Sequence, residues 1–224
     1  MKKLIIVPII AVIAGCATSP RTSTDIPVTK SDQPDYLVRE RYPNPAPAWA
    51  SDFATFRQKN DGKGSFYFLG ESGAVSDRIA GCDLSSLEAK KKIAQQIATL
   101  ISDKIATTRA GQLVIDKDNP EDPEMRKHFE NTVAGKSMAF LSGVKEFGQY
   151  WEERDYSAGG GKKRVYECQT VVAISSDDMK AALRKAAGQA PQVVEDAEAK
   201  AVVKEALKDI DSQFRSYSST PQSN

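Results

Sequence analysis

The chain has one histidine, His128, and only three cysteines in 224 residues. That scarcity excludes most chemistry built on imidazoles or clustered thiolates. A Ser-His-Asp triad would need His128 itself in place. His128 lies in a polar, charged segment remote from Cys82 and Cys168, so no metal site and no cofactor is expected. Charge of one sign is lacking too: 31 Lys and Arg stand against 30 Asp and Glu, for a formal net charge of +1. A nucleic-acid partner normally requires a concentrated basic face, and none is expected here. The short runs Lys90-Lys91-Lys92 and Lys162-Lys163-Arg164 read as a solvated helix start and a hairpin tip. After the first sixteen residues there is no second long hydrophobic run. Hydrophobic residues at 40% and aromatics at 8% still suffice for the core of one modest domain with tails.

What the chain does carry is concentrated at its start. Lys2 and Lys3 form a charged n-region, and Leu4 to Ile13 form an apolar h-region of roughly ten residues, too short to span a bilayer. Pro8 inside that run also disfavours a lasting transmembrane helix. Ile13-Ala14-Gly15-Cys16 resembles the bacterial lipobox: an aliphatic residue, two small ones and an obligatory cysteine. Small side chains fit the signal-peptidase cleft, and the thiol of a new N-terminal Cys16 can take thioether-linked diacylglycerol. The alternatives are an ordinary secretory peptide with a chance cysteine, or a single membrane anchor. If Cys16 is lipidated, residues 1–15 are a signal peptide and acyl chains such as palmitate hold the mature chain to the membrane. Each buried methylene contributes ~0.8 kcal/mol, so multiple acylation is effectively permanent. Ala17 follows Cys16. By resemblance to the Gram-negative sorting rule, the absence of Asp at that place points to the outer membrane. Loss of Lys2 and Lys3 takes the formal charge from +1 to −1, which leaves the mature chain near neutral.

With Cys16 assigned to lipid, Cys82 and Cys168 remain in a compartment that permits disulfides. They are expected to pair, closing a loop of roughly 86 residues worth ~4 kcal/mol in the chain-entropy model. The alternative is two separate buried thiols.

Residues 16–48 read as a flexible linker carrying six of the eleven prolines. Extended at ~3.1 Å per residue, it would reach up to ~100 Å from the membrane. A globular part follows over 49–187. Trp49, Phe53 and Phe56 suggest a short helix, Asp61-Gly62-Lys63-Gly64 a turn, and Ser65 to Gly70 an aromatic-rich strand. The clearest helix is expected at about 84–109, opened by a Ser85/Glu88 capping box and stopped by Gly111. Leu87, Ala94, Ile97, Ile101 and Ile105 line one face, with Leu84 and Ile93 beside it. An acidic stretch over 112–135 holds at most a short helix near Met125 to Phe129. Period-two patterning then predicts a strand from Ser137 to Glu153, with Phe140 and Val144 on one side and Leu141, Phe147 and Trp151 on the other. A reversal at Gly159-Gly160-Gly161 leads to an antiparallel strand, Val165 to Ser175, with Tyr166, Cys168, Val172 and Ile174 on the face toward the helix. Helices at 176–187 and about 191–215 follow, the latter within a C-terminal region, 188–224, that ends in a polar tail. The fold class is thus α+β: one small domain with a long helix on an antiparallel sheet in β-α-β-β-α order, plus a C-terminal helix that either docks or pairs with a partner.

Catalytic patterns fail on inspection. Ala134-Gly135-Lys136-Ser137 ends like a P-loop, but Glu130 stands where the first glycine belongs, and Ser137 is expected to open a strand. Gly70-Glu71-Ser72-Gly73-Ala74 resembles a nucleophile elbow, but Ala74 replaces its last glycine. Gly159-Gly160-Gly161 precedes a strand and so lacks the helix terminus that holds phosphate. Asp116 to Asp122 looks like a calcium loop, except that Pro120 and Glu121 replace a ligand and a glycine. Glu152-Glu153, Asp155 and Asp177-Asp178 could do acid–base work, yet they fall at hairpin and helix ends, where charges are ordinarily solvated or capping.

Pro47-Ala48-Trp49, the strand ending Phe68-Leu69-Gly70-Glu71-Ser72, the alanine-spaced helix Glu88 to Ala106, and the strand Arg164-Val165-Tyr166 to Ala173 leading into a helix resemble the LPP20 family of bacterial lipoproteins, over about 49–187. The acidic insertion and the two cysteines depart from that pattern. The resemblance implies a non-enzymatic envelope lipoprotein; similar lipoproteins include surface antigens and components of outer-membrane disks around flagellar motors. It supplies no catalytic residue. The expectation is an outer-membrane lipoprotein, facing the periplasm or the cell surface, anchored to the membrane at Cys16. Its domain would act as a scaffold or interaction module, through an envelope protein partner or self-assembly. A regulator of a peptidoglycan synthase is the alternative, and a lipoprotein hydrolase a more remote one.

Overall fold

The computed structural model describes residues 36–107, 123–156 and 163–219. Cys16, the signal segment, Gly111, the Asp116 to Asp122 stretch and Gly159-Gly160-Gly161 lie outside the described residues. Strand β1 (Tyr36–Tyr42) is followed by two short helices, α1 (Ala48–Ser51) and α2 (Phe53–Asn60), strand β2 (Ser65–Val75) and the long helix α3 (Arg78–Ala106). Helix α4 (Pro123–Ser137), strands β3 (Lys145–Tyr156) and β4 (Lys163–Ser175), and helices α5 (Ser176–Gln189), α6 (Ala197–Ala206) and α7 (Ile210–Ser219) complete the order. The fold is α+β. Its four strands form one antiparallel sheet in the order β1-β3-β4-β2, with α3 packed on one face.

Residues 36–42 were expected within the linker, and instead β1 is an edge strand. It pairs with β3 from Tyr36↔Tyr156 to Tyr42↔Trp151. Local alternation explains this: the Tyr36 ring meets that of Tyr156 at 5.3 Å and lies 4.2 Å beneath the Arg154 guanidinium. Pro43 follows the strand directly without interrupting it.

The face toward α3 holds the main core. Phe66 and Phe68 of β2, Val172 and Ile174 of β4, and Ile93, Ile97, Ile101 and Ile105 of α3 are all buried. Helix α3 begins at Arg78, six residues before the expected start, because Asp77 is its N-cap and accepts the Ala80 N–H at 2.8 Å. Ser85 is not a cap. It is wholly buried, its hydroxyl 2.6 Å from that of Thr170 on β4. Leu84 and Leu87, expected on or beside the core face, are exposed at 49% and 42%. The reason is a close approach: a Cβ built on Gly70 of β2 would lie 1.9 Å from the Ser85 carbonyl oxygen. Only small residues fit between helix and sheet here, and Cys82, Ser85 and Ala89 supply them.

The strand expected from Ser137 starts at Lys145. Helix α4 runs through Ser137, with Phe129, Val133 and Ala134 buried at helical spacing and the Ser137 hydroxyl donating to the Val133 carbonyl at 2.7 Å. A 3₁₀ turn, Met138–Phe140, then lays Phe140, Leu141 and Val144 against the core from outside the sheet. A register shift between Glu146 and Gly148 places Phe147 and Trp151 on opposite faces. Phe147 meets the Phe56 ring at a tilt and the Tyr67 ring edge to face on the outer face, whereas Trp151 packs with Cys82 and Cys168 on the inner one.

The last expected helix is two. Helices α6 and α7 meet at a 3₁₀ turn, Leu207–Asp209, and dock on the domain through Val203, Ala206, Leu207, Ile210 and Phe214. The Arg184–Asp211 ion pair joins α7 to α5. Among the described residues no helix is long and apolar enough to cross a membrane.

Candidate functional site

Cys82 and Cys168 form a disulfide with their Cα atoms 5.0 Å apart. It ties Cys82, the fifth residue of α3, to the centre of β4, beneath Trp151 and Tyr166. Arg78 stacks over the Trp151 ring at 5.0 Å, so this small cluster is sealed by its own cation–π contact. The pair has a structural place; both cysteines are buried.

The outer face of the sheet is divided. One half is apolar: Trp49 covers Gly148, and Phe53 and Phe56 pack on Tyr67 and Leu69. The other half is polar and forms a cleft of about 320 Å³ lined by Glu71 of β2, Tyr150, Glu152 and Arg154 of β3, and Glu167 and Gln169 of β4. Strand alternation builds it, since alternate residues of neighbouring strands point to the same side. Tyr150 belongs to both halves, its ring in the aromatic cluster and its hydroxyl 2.5 Å from Glu152 Oε1.

Arg154 sits between two carboxylates. It donates from Nε to Glu152 Oε2 at 2.9 Å and from Nη1 to Glu167 Oε2, while the Tyr156 hydroxyl donates to Glu167 Oε1 at 3.0 Å. Gln169 Nε2 donates to Glu71 Oε1 at 3.2 Å. Burial raises the Tyr150 pKa to about 12, helped by its bond to Glu152. For Glu152, burial favours the neutral acid, but the Tyr150 and Arg154 hydrogen bonds outweigh it and hold the carboxyl below its usual range. Burial alone would lower the Arg154 pKa; its carboxylate partners raise it instead. The three groups therefore remain as neutral phenol, carboxylate and guanidinium across the ordinary pH range.

Other sequence candidates disperse. Glu152 points outward, but Glu153 and Asp155 lie on the opposite face, where Arg164 contacts both and Arg39 binds Asp155. Ser72 lies within β2, its hydroxyl donating to the Gly73 carbonyl and accepting the Cys168 N–H at 2.9 Å, so it is no nucleophile elbow. Asp178 caps α5 together with Ser175. His128 lies exposed on α4. Ser137, at the end of that helix, opens no phosphate loop. Among the described residues no group of three His, Cys, Asp or Glu could hold a metal ion.

Sequence reasoning weighed Glu152 as a solvated charge and passed over Tyr150, Arg154, Glu167 and Gln169. The signal was there in part: Tyr150, Glu152 and Arg154 alternate with Trp151 and Glu153, as Glu167 and Gln169 do with Cys168. Only strand register brings the two sets together. No family model, curated protein or solved structure matches the chain.

Proposed function

We propose that this chain is an outer-membrane lipoprotein, acylated at Cys16, whose α+β domain is a non-enzymatic scaffold or protein-interaction module of the envelope. The observation that carries the reading is the sequence Ile13-Ala14-Gly15-Cys16 behind a basic and apolar leader, followed by a proline-rich stretch. The resemblance to LPP20-type lipoproteins agrees with it. So does the outer face of the sheet: beside its apolar half it presents a polar cleft built from three strands, whose carboxylates are engaged in hydrogen bonds.

The test is metabolic labelling of the full chain with a palmitate analogue in a Gram-negative host, followed by density fractionation of the membranes. Label in the outer-membrane fraction that disappears in Cys16→Ala is the expected result. A chain that is processed and released without label would overturn the anchor. Crosslinking in intact cells then separates two roles: recovery of copies of itself or a structural envelope protein supports the scaffold, and recovery of a peptidoglycan synthase replaces it with a regulator.

A further inference from the structure

We propose that the outward face of the first half of α3 pairs, antiparallel, with the same face of a second copy of this chain. The inference rests on the reading of this domain as an envelope scaffold; it names the partner as the chain itself and the surface as one helix.

Six large hydrophobic side chains are exposed among the described residues, and three of them, Ile79, Leu84 and Leu87, fall within nine residues of α3. The buried residues of these opening turns all point at the sheet: Gly81 toward Val75, Cys82 bonded to Cys168, Ser85 on Thr170 and Ala89 at Gly70. The helices that pack on α3 hold its other half, α4 through Arg126 to Asp103 and α7 through Ser212, which accepts from Lys104 at 3.0 Å. Ala80, Leu84, Leu87 and Lys91 recur at intervals of four, three and four residues, the spacing of a seam between two paired helices. All four are exposed.

Charge selects both the occupant and its direction. Asp83 stands one residue before Leu84, and Lys90 one residue before Lys91, on the same flank of the seam. Neither takes part in an ion pair among the described residues. A two-fold axis through the seam places Leu84 of each copy against Leu87 of the other, and Ala80 against Lys91. The same rotation sets Asp83 of each copy beside Lys90 of the other, so both flanking pairs are of opposite sign. A parallel pair would instead bring Asp83 against Glu88, two carboxylates. Glu88 holds the Lys91 ammonium within its own helix at 3.5 Å, which leaves the methylene stem to cover Ala80 of the other copy. An anionic lipid surface is a poorer occupant, since it would meet Asp83 and Glu88 along with the lysines. A seam of about three turns buries less than the ~1,200 Å² of a standard interface. The pair is therefore weak in dilute solution and forms where copies are concentrated, as acylation on one membrane would do.

Sedimentation equilibrium of the full chain is the test, in a nonionic detergent with micelles in large excess and protein up to about 0.5 mM. The expected result is a monomer–dimer equilibrium with Kd on the order of 100 µM. Leu87→Glu should weaken it at least about tenfold and leave the urea midpoint in place, because that side chain is already exposed. Asp83→Lys and Lys90→Asp should each weaken it about threefold or more, and the two together should restore it. A chain that stays monomeric throughout would overturn the proposal, even if it then binds a helix of a different protein. So would a double variant that pairs no better than either single one. A fall in the urea midpoint of Leu87→Glu as large as that of a core substitution would do the same, since the leucine would then serve the fold. The readout does not depend on acylation: a lipidated chain that stays monomeric loses the seam alone, and a chain that pairs without lipid loses the tether alone.

Discussion

The two faces of this sheet are held by opposite means. On the inner face, specificity comes from volume: isoleucines fill space along α3, and at Gly70 the helix comes so near that no Cβ is tolerated. Ser85 is paired with Thr170 there. On the outer face around the cleft, specificity comes from directed hydrogen bonds between groups that water still reaches. Dense packing tolerates almost no change in volume, whereas the part-buried pairs of Arg154 with Glu152 and Glu167 depend on geometry and charge. One face therefore fixes the fold by volume, and the other is ordered by directed bonds.

The sharpest way to break this comparison is Gly70→Val. The added carbons would meet the Ser85 carbonyl and the Ala89 amide, both backbone, so the helix must move away from the sheet along its first half. Overpacking at a flexible neighbour costs ~1–3 kcal/mol, and at immovable backbone the loss should exceed that range or abolish folding. Circular dichroism and urea unfolding measure it. A variant with near-normal stability would mean that α3 is held far less tightly than the inner face implies.

Next in size is the disulfide. Replacing both Cys82 and Cys168 by alanine should cost ~2–5 kcal/mol, by releasing a long loop in the unfolded chain. Reduction of the natural chain should lower its urea midpoint and alter Trp151 fluorescence, because the bond forms the floor of that residue's cluster. The double variant should not respond to reductant. If reduction leaves the natural chain unchanged, the small cluster is stable without its covalent link.

The inner face was legible in the sequence and the outer face was not, for a physical reason. Period-two apolar residues announce a buried strand face, and Cys168, Val172 and Ile174 were read correctly from it. The pairing of Cys82 with Cys168, read from the two cysteines left after Cys16, is also present. What failed was geometry that depends on partners. Ser85 followed by Glu88 satisfies a capping pattern, yet the tertiary approach at Gly70 places Ser85 in the middle of a packed helix. The bulge at Phe147 reverses which side its ring takes, and no local pattern signals a bulge. Tyr36 to Tyr42 lies among prolines and was read as linker, because an edge strand needs only one neighbour and shows half the usual signal. The cleft is the extreme case: its residues come from three strands, and each alone looks like a solvated charge.

The smallest effects belong to the outer face, and they test whether its hydrogen bonds are as directed as its geometry. Arg154→Met should cost on the order of 1–3 kcal/mol, because the part-buried Glu152 and Glu167 carboxylates each lose a charge-assisted hydrogen bond. Its clearer consequence is electrostatic. With Arg154 removed, the Glu152 carboxyl loses a partner that keeps it ionised and should titrate at higher pH. Tyr150 supplies the matching alkaline signal. Its pKa is raised from 10.0 to about 12, so the folded state holds the phenolic proton more tightly than the unfolded chain does. That contribution is complete below the unfolded value and is lost as pH rises toward about 12. Glu152 has the opposite sign: lowered when folded, its contribution is present above the ordinary carboxylate range and fades as pH falls. A difference titration of tyrosinate absorbance, natural chain against Tyr150→Phe, should show one phenol ionising late. If that phenol titrates with the exposed tyrosines, the Tyr150–Glu152 bond is not formed in solution, and the outer face is a loose polar surface instead of an ordered one.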